Sequence, residues 1–143
     1  MAGALASHAV EKLGWEHVEV RSAGVGAGNG LPASDGALRA AERHGLDLSE
    51  HRSTPVTADL LEWADLVLAM SANHLLRIVA LGYGDKAALL TSFAAGEDPE
   101  GIPDSVQDPF GGSDEEYEQT FLLLERLVDR SLRRLQPILA PPA

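Results

Sequence analysis

Apolar positions recur four apart at the start of the chain. Met1, Leu5, Ala9 and Leu13 mark one face of a helix, and Gly14 supplies its stop. At residues 18–22 the period changes. "VEVRS" alternates apolar and polar side chains, which predicts a strand. The glycine-rich "AGVGAGNGLPAS" predicts a loop at a cleft rim. "DGALRAAERHG" reads as a helix closed by Gly45, and "TPVTADLLEWA" as a short helix with Thr57 at its N-cap. Residues 65–70, "DLVLAM", form an apolar run of the kind found in strands covered on both faces. Ser71 and Gly82 bracket a helix in "SANHLLRIVALG", and "KAALLTSF" predicts another strand. The last helix has the most regular pattern. Ser113 and Glu116 have capping-box spacing, and Tyr117, Phe121, Leu124, Val128, Leu132 and Leu135 form one apolar stripe. Arg126, Arg130, Arg133 and Arg134 sit in its C-terminal half, where cations suit the helix dipole, and Pro137 is its predicted stop.

Strands alternating with helices predict an α/β fold, three layers with a parallel sheet between helices. Its strands are expected near residues 18–22, 65–70 and 86–90. One domain spans residues 1–136, followed by a Pro/Ala tail at 137–143. An α/β unit normally opens with a strand, whereas the first predicted element here is a helix.

Composition narrows the function classes. The 143 residues are 45% hydrophobic, which suits a globular domain. No apolar run is long enough for a membrane span and no signal-peptide pattern stands out, so the cytoplasm is the expected compartment. With 22 acids against 11 bases the net charge is −11, which disfavours nucleic acid and anionic lipid as partners. Residues 97–118 hold nine acids and no Lys or Arg. They read as a solvated loop or as an acidic rim that prefers basic partner segments. The chain has no cysteine, so these residues offer no disulfide, thiolate metal site or thiol nucleophile.

The candidate motifs mostly eliminate themselves. "GVGAGNG" lacks the G-x-G-x-x-G spacing, because Asn29 and Leu31 stand where the third glycine would fall. There is no G-K-[ST] and no G-x-S-x-G. The five histidines show no ligand spacing, so neither metal nor cofactor is expected. His44 reads as a dipole partner at a helix end and His51 as a surface residue. Asp108 in "VQDPFGGSDEEY" has more shape. Pro109 biases Asp108 toward an extended conformation, and the glycines after Phe110 let the loop turn into the last helix. That setting suits a carboxylic acid held to exchange a proton, and equally a plain Asp-Pro turn.

Four segments taken together carry a resemblance. "VRSAGVGA", "ERHGLDLSEHRSTPVT", "LLEWADLVLAM" followed by "SANHL", and "DPFGGSDEEYEQT" resemble the low-molecular-weight protein tyrosine phosphatases, in that family's order and spacing, from Met1 to about Leu135. "SAGV", "NG" and "DPFGGS" also resemble the related bacterial protein-arginine phosphatases. The resemblance implies a four-stranded parallel sheet and hydrolysis of phosphate monoesters on phosphorylated protein substrates through a phosphocysteine. It implies that Asp108 is the general acid, that Ser22 and His51 support the phosphate loop, and that Phe110 lines the substrate cleft. The family's first, central strand and its C-x5-R-[ST] phosphate loop have no counterpart in these residues. The expectation is that they precede Met1, that an open slot separates the strands at 18–22 and 65–70, and that the chain is inactive as it stands. A second expectation is a non-catalytic phosphoprotein-binding or regulatory module. Gly26, Ala27 and Gly28 are small where tyrosine phosphatases present a bulky cleft wall. Phosphotyrosine is taken as the substrate ahead of phosphoarginine.

Overall fold

The computed structural model describes residues 1–24 and 28–139. Helix α1 (Ala2–Lys12) ends where glycine allows it. Gly14 takes φ 74°, the Gly14 N–H donates to Glu11 O at 3.0 Å, and the Trp15 N–H donates to Val10 O at 3.1 Å. These two bonds satisfy carbonyls the helix end would orphan, and they swing Trp15 into the core. Helices α2 (Asp35–Arg43) and α3 (Ala58–Trp63) follow. Thr57 caps α3 by accepting from the Leu60 N–H at 3.2 Å. Strand β1 (Val67–Ala69), helix α4 (Ala72–Ala80) and strand β2 (Ala87–Leu89) form a βαβ unit, with Val67 opposite Ala87 and Ala69 opposite Leu89 in a parallel pair. Ser71 stands at the N-cap of α4 but makes no side-chain cap bond. Helices α5 (Leu90–Ala95) and α6 (Asp114–Leu139) complete the chain.

Helices cover both faces of the sheet, and the period-2 rule for strands shows how. Val67 and Ala69 pack with Leu61 of α3 and Ile78 of α4. The intervening Leu68, and Met70, pack into the other core with Leu5 of α1, Ala40 of α2, Ala94 of α5 and Phe121 and Leu127 of α6. Phe121 and Leu127 are its largest fully buried side chains. Among the described residues no helix is long and apolar enough to cross a membrane.

Four expectations need correction. Residues 18–22 form no strand. A strand exists only through ladder bonds to a neighbour, and among the described residues none reaches residues 19–23; a bridge is found at Gly24, to Pro55. The run predicted as a strand at 86–93 splits, with β2 giving way at Leu90 to α5, whose Leu90, Thr91 and Ala94 are buried at helical spacing. Pro137 does not stop α6, which continues to Leu139. In the last turn its ring costs one backbone bond, the one its missing N–H would have donated to the carbonyl of Arg133, an exposed residue. The capping box is half made. The Ser113 hydroxyl accepts from the Glu116 N–H at 3.2 Å, while the Glu116 carboxylate lies 3.5 Å from that same hydroxyl instead of reaching back to the backbone.

Candidate active site

Open parallel sheets bind ligands beyond the carboxyl ends of their strands. Of the two features that hold the candidate residues, the Asp108 loop starts just past the carboxyl end of β1. The first is a cleft of about 300 Å³ lined by Arg21, Ser22, His51, Arg52, Thr54 and Leu60. Ser22 lies against the first turn of α1. A Cβ built on Gly3 would sit 2.9 Å from Ser22 Cβ and 3.1 Å from its Oγ, so glycine is what allows the approach. The positive end of the α1 dipole therefore adjoins Ser22. His51 is fixed through its backbone, whose N–H donates to Leu48 O at 3.0 Å. Its imidazole pKa is lowered, first by burial and then by the positive charges of the Met1 amino group and Arg52, so the neutral ring is favoured.

Two guanidinium groups border this cleft in a strongly acidic chain. Arg52 donates to Ser49 O at 3.0 Å and to His51 O at 2.7 Å. Arg21 pairs with Glu19 at 2.8 Å and lies 4.2 Å over the ring of Trp63, which is 43% exposed. The sequence reading passed over both arginines. Both belong to Arg-Ser dipeptides, at 21–22 and 52–53, but the same dipeptide recurs at 130–131 in the last helix, so it singles out neither.

Ser53 ties the glycine-rich loop to this edge. Its hydroxyl accepts from the Leu31 N–H at 3.0 Å and donates to Gly28 O. Backbone bonds join Gly24 to Thr54 and Val56, and Gly30 and Leu31 to Ser53. Both flanks of the loop are thus hydrogen-bonded to the chain that follows His51. Gly26 and Ala27, expected to leave the cleft wall open, lie outside the described residues; Gly28 is exposed.

The second feature is the Asp108 loop. It leaves the sheet at Val106, which is buried and donates to Met70 O at 3.0 Å, just past β1. Asp108 is exposed, and its Oδ1 accepts from the Phe110 N–H at 3.0 Å. That is the geometry of an Asx turn. The Gly112 N–H donates to Pro109 O at 2.8 Å, and Phe110 is 78% exposed. Neither Asp108 nor Phe110 lines the Ser22–His51 cleft. The structure brings Ser22 and His51 together in one cleft and leaves Asp108 and Phe110 on a separate loop.

Outside the cleft, several charged side chains tie elements together. A wider groove of about 420 Å³ between α5 and α6 contains none of the candidate residues. Its Arg130 and Arg134 are engaged by the carbonyls of Ala95, Asp98 and Phe93. His44 does more than meet a helix dipole. It stacks on Phe121 with centroids 4.4 Å apart and bonds to the Glu118 carboxylate. Arg43 reaches the same carboxylate at 3.0 Å and Arg39 reaches Asp114 at 2.8 Å. The acidic stretch is therefore partly spent on α2. The i,i+4 spacing of Arg39 and Arg43 against Asp114 and Glu118 was the available signal. Among the described residues no three His, Asp or Glu side chains converge as metal ligands.

Comparison with known proteins agrees with this architecture. The family model for low molecular weight phosphotyrosine protein phosphatase matches residues 1–138. A protein-arginine-phosphatase of Bacillus subtilis is 38% identical over 139 residues, covering 95% of this chain and 87% of that protein. The low molecular weight protein-tyrosine-phosphatase Etp of Escherichia coli K12 is 30% identical over 118 residues, covering 82% and 76%. Among solved structures, the YwlE arginine phosphatase carrying a cysteine-to-serine mutation and a phosphorylated active-site serine superposes with a TM-score of 0.86 at 37% identity, over 96% of this chain and 87% of that one. The low molecular weight protein tyrosine phosphatase of T. tengcongensis gives 0.84 at 33%, over 94% and 88%. The chain belongs to the low molecular weight phosphotyrosine protein phosphatase family.

Proposed function

We propose that this domain serves a cytoplasmic protein phosphatase acting on phosphorylated side chains through a phosphocysteine. The observation that carries the proposal is the convergence of Ser22 and His51 beside the first turn of α1, in a cleft bordered by Arg21 and Arg52. A helix N-terminus and two guanidinium groups suit a phosphoryl group. Ser22 and His51 are assigned to supporting the phosphate loop, Phe110 to contacting the substrate, and Asp108 to proton transfer. The thiolate attacks phosphorus, the bond to the leaving atom breaks, and Asp108 protonates that atom. Water then attacks the phosphocysteine while Asp108 takes its proton, releasing phosphate and restoring the thiolate.

These 143 residues contain no cysteine, so the thiolate in this scheme belongs to residues outside them. The higher identity to arginine phosphatases than to Etp favours phosphoarginine over phosphotyrosine as the substrate. The test compares the 143-residue chain with a chain lengthened by the in-frame codons upstream, on phosphoarginine and phosphotyrosine peptides. The expected result is turnover by the lengthened chain alone, faster on phosphoarginine. Upstream codons without a C-x5-R segment, or turnover by the 143 residues themselves, would defeat the proposal. The first outcome would leave a phosphoprotein-binding module.

A further inference from the structure

The Asp108 loop is held at two ends of different character. Its first end is the backbone bond from Val106 to Met70 beside the sheet. Its second end is the first turn of α6, and α2 holds that turn. Ser34 is the N-cap of α2 but makes no cap bond with its side chain. Its hydroxyl instead lies 3.0 Å from the Tyr117 hydroxyl. Tyr117 is 5% exposed, and its ring lies directly on the backbone at Gly36. A Cβ there would come within 2.8 Å of Tyr117 Cγ and closer still to Cδ2 and Cε2. Arg39 adds a two-pronged contact, with Nε at 3.0 Å and Nη2 at 2.8 Å from Asp114 Oδ1.

The same helix also answers to the cleft. Gly30 and Leu31, just ahead of α2, are hydrogen-bonded to Ser53, two residues past His51. A continuous set of contacts thus runs from the His51 edge through residues 28–34 to Tyr117 and Asp114, and so to the loop that carries Asp108. We propose that the N-terminal turn of α2 sets the distance between the Asp108 loop and the Ser22–His51 cleft, with Ser34, Tyr117 and Arg39 as positioning residues. This rests on the proton-transfer role proposed for Asp108 and adds the elements that keep the acid in place. Tyr117 should carry more of the effect than Arg39, because its bond is partly buried while the Arg39–Asp114 pair is solvated on both sides.

Amide exchange in the 143-residue chain tests the arrangement without any need for turnover. Its outcome is therefore separate from the fate of the proton-transfer assignment. The reporters are the amides of Phe110 and Gly112, bonded to Asp108 Oδ1 and Pro109 O. The control is the Leu46 amide, bonded to Ala41 O beyond the far end of α2. Tyr117→Phe should speed the loop reporters about 2- to 12-fold, the worth of one ordinary hydrogen bond, and leave Leu46 unchanged. Ser34→Ala removes the same bond from the less buried side. It should match Tyr117→Phe, and the double variant should show no further gain. Arg39→Gln should give a smaller rise, and exchanging the charges as Arg39→Asp with Asp114→Arg should restore protection. Unchanged loop amides in Tyr117→Phe and Ser34→Ala, or an equal rise at Leu46, would overturn the proposal.

Discussion

Replacing Gly36 by alanine sets two effects of opposite sign against each other. Gly36 lies in the first turn of α2, where alanine would gain up to about 1 kcal/mol in helix propensity. The added methyl, however, would land on Tyr117, within 2.8 Å of Cγ. Carbon atoms sit comfortably at about 3.5–4.0 Å, so the ring must retreat by roughly 1 Å. It is buried where α6 meets α2 and its hydroxyl is engaged by Ser34, so it cannot retreat freely. Overpacking of this kind costs about 1–3 kcal/mol, and losing the Ser34 bond about 0.5–1.5 more. Packing should win, with a net loss of about 0.5–4.5 kcal/mol. Urea unfolding followed by tryptophan fluorescence, in which the buried Trp15 changes surroundings most, would report it. At a slope near ~2 kcal/mol/M, a loss of ~2 kcal/mol lowers the midpoint by about 1 M. A midpoint equal to or above that of the parent chain would mean that Tyr117 moves aside easily. The close packing of α2 on α6 would then not hold the loop as described.

Phe121→Ala should be the more damaging change, at about 3–5 kcal/mol, because it empties a fully buried site and removes the ring on which His44 stacks; a loss under ~1.5 kcal/mol in the same urea assay would contradict the core assignment. The Asp114 carboxyl is held below its usual range mainly by the Arg39 hydrogen bond, and that of Glu118 mainly by the His44 hydrogen bond. Both pKa values are depressed in the folded state, so their contribution is present above the ordinary carboxylate range and is lost as pH falls through and below about 4. Glu118→Gln should flatten that acid limb in urea midpoints taken from pH 7 to 3, and an unchanged limb would remove Glu118 from it.

Local signals were legible in the sequence and non-local ones were not. Gly14, Gly82 and the Thr57 cap ended or began helices as their chemistry dictates. Alternation at residues 18–22 could not reveal whether a ladder partner was within reach, since pairing is a long-range property. The segment 86–93, "KAALLTSF", is too short for periodicity to separate strand from helix. At the site, Asp108 stood out through its local Asp-Pro-Phe-Gly-Gly setting and Ser22, His51 and Phe110 through family resemblance, and the cleft is lined by Ser22 and His51 but not by the other two. Arg21 and Arg52 escaped notice because each serves the cleft only after residues thirty apart are brought together. His44 was underestimated for the same reason, its partner Glu118 lying 74 residues away.

The most direct test of the central claim is the rate of leaving-group release in the first turnover, in the upstream-lengthened chain with and without Asp108→Asn. The asparagine keeps the loop's shape and removes the proton. Release of a poor leaving group such as phenolate from tyrosine should slow about 10²–10⁴-fold. Release of nitrophenolate, which leaves with little help, should slow much less. Equal slowing of both substrates would deprive Asp108 of its role as proton donor, and no slowing of either would leave it only the residue that closes the turn onto Phe110.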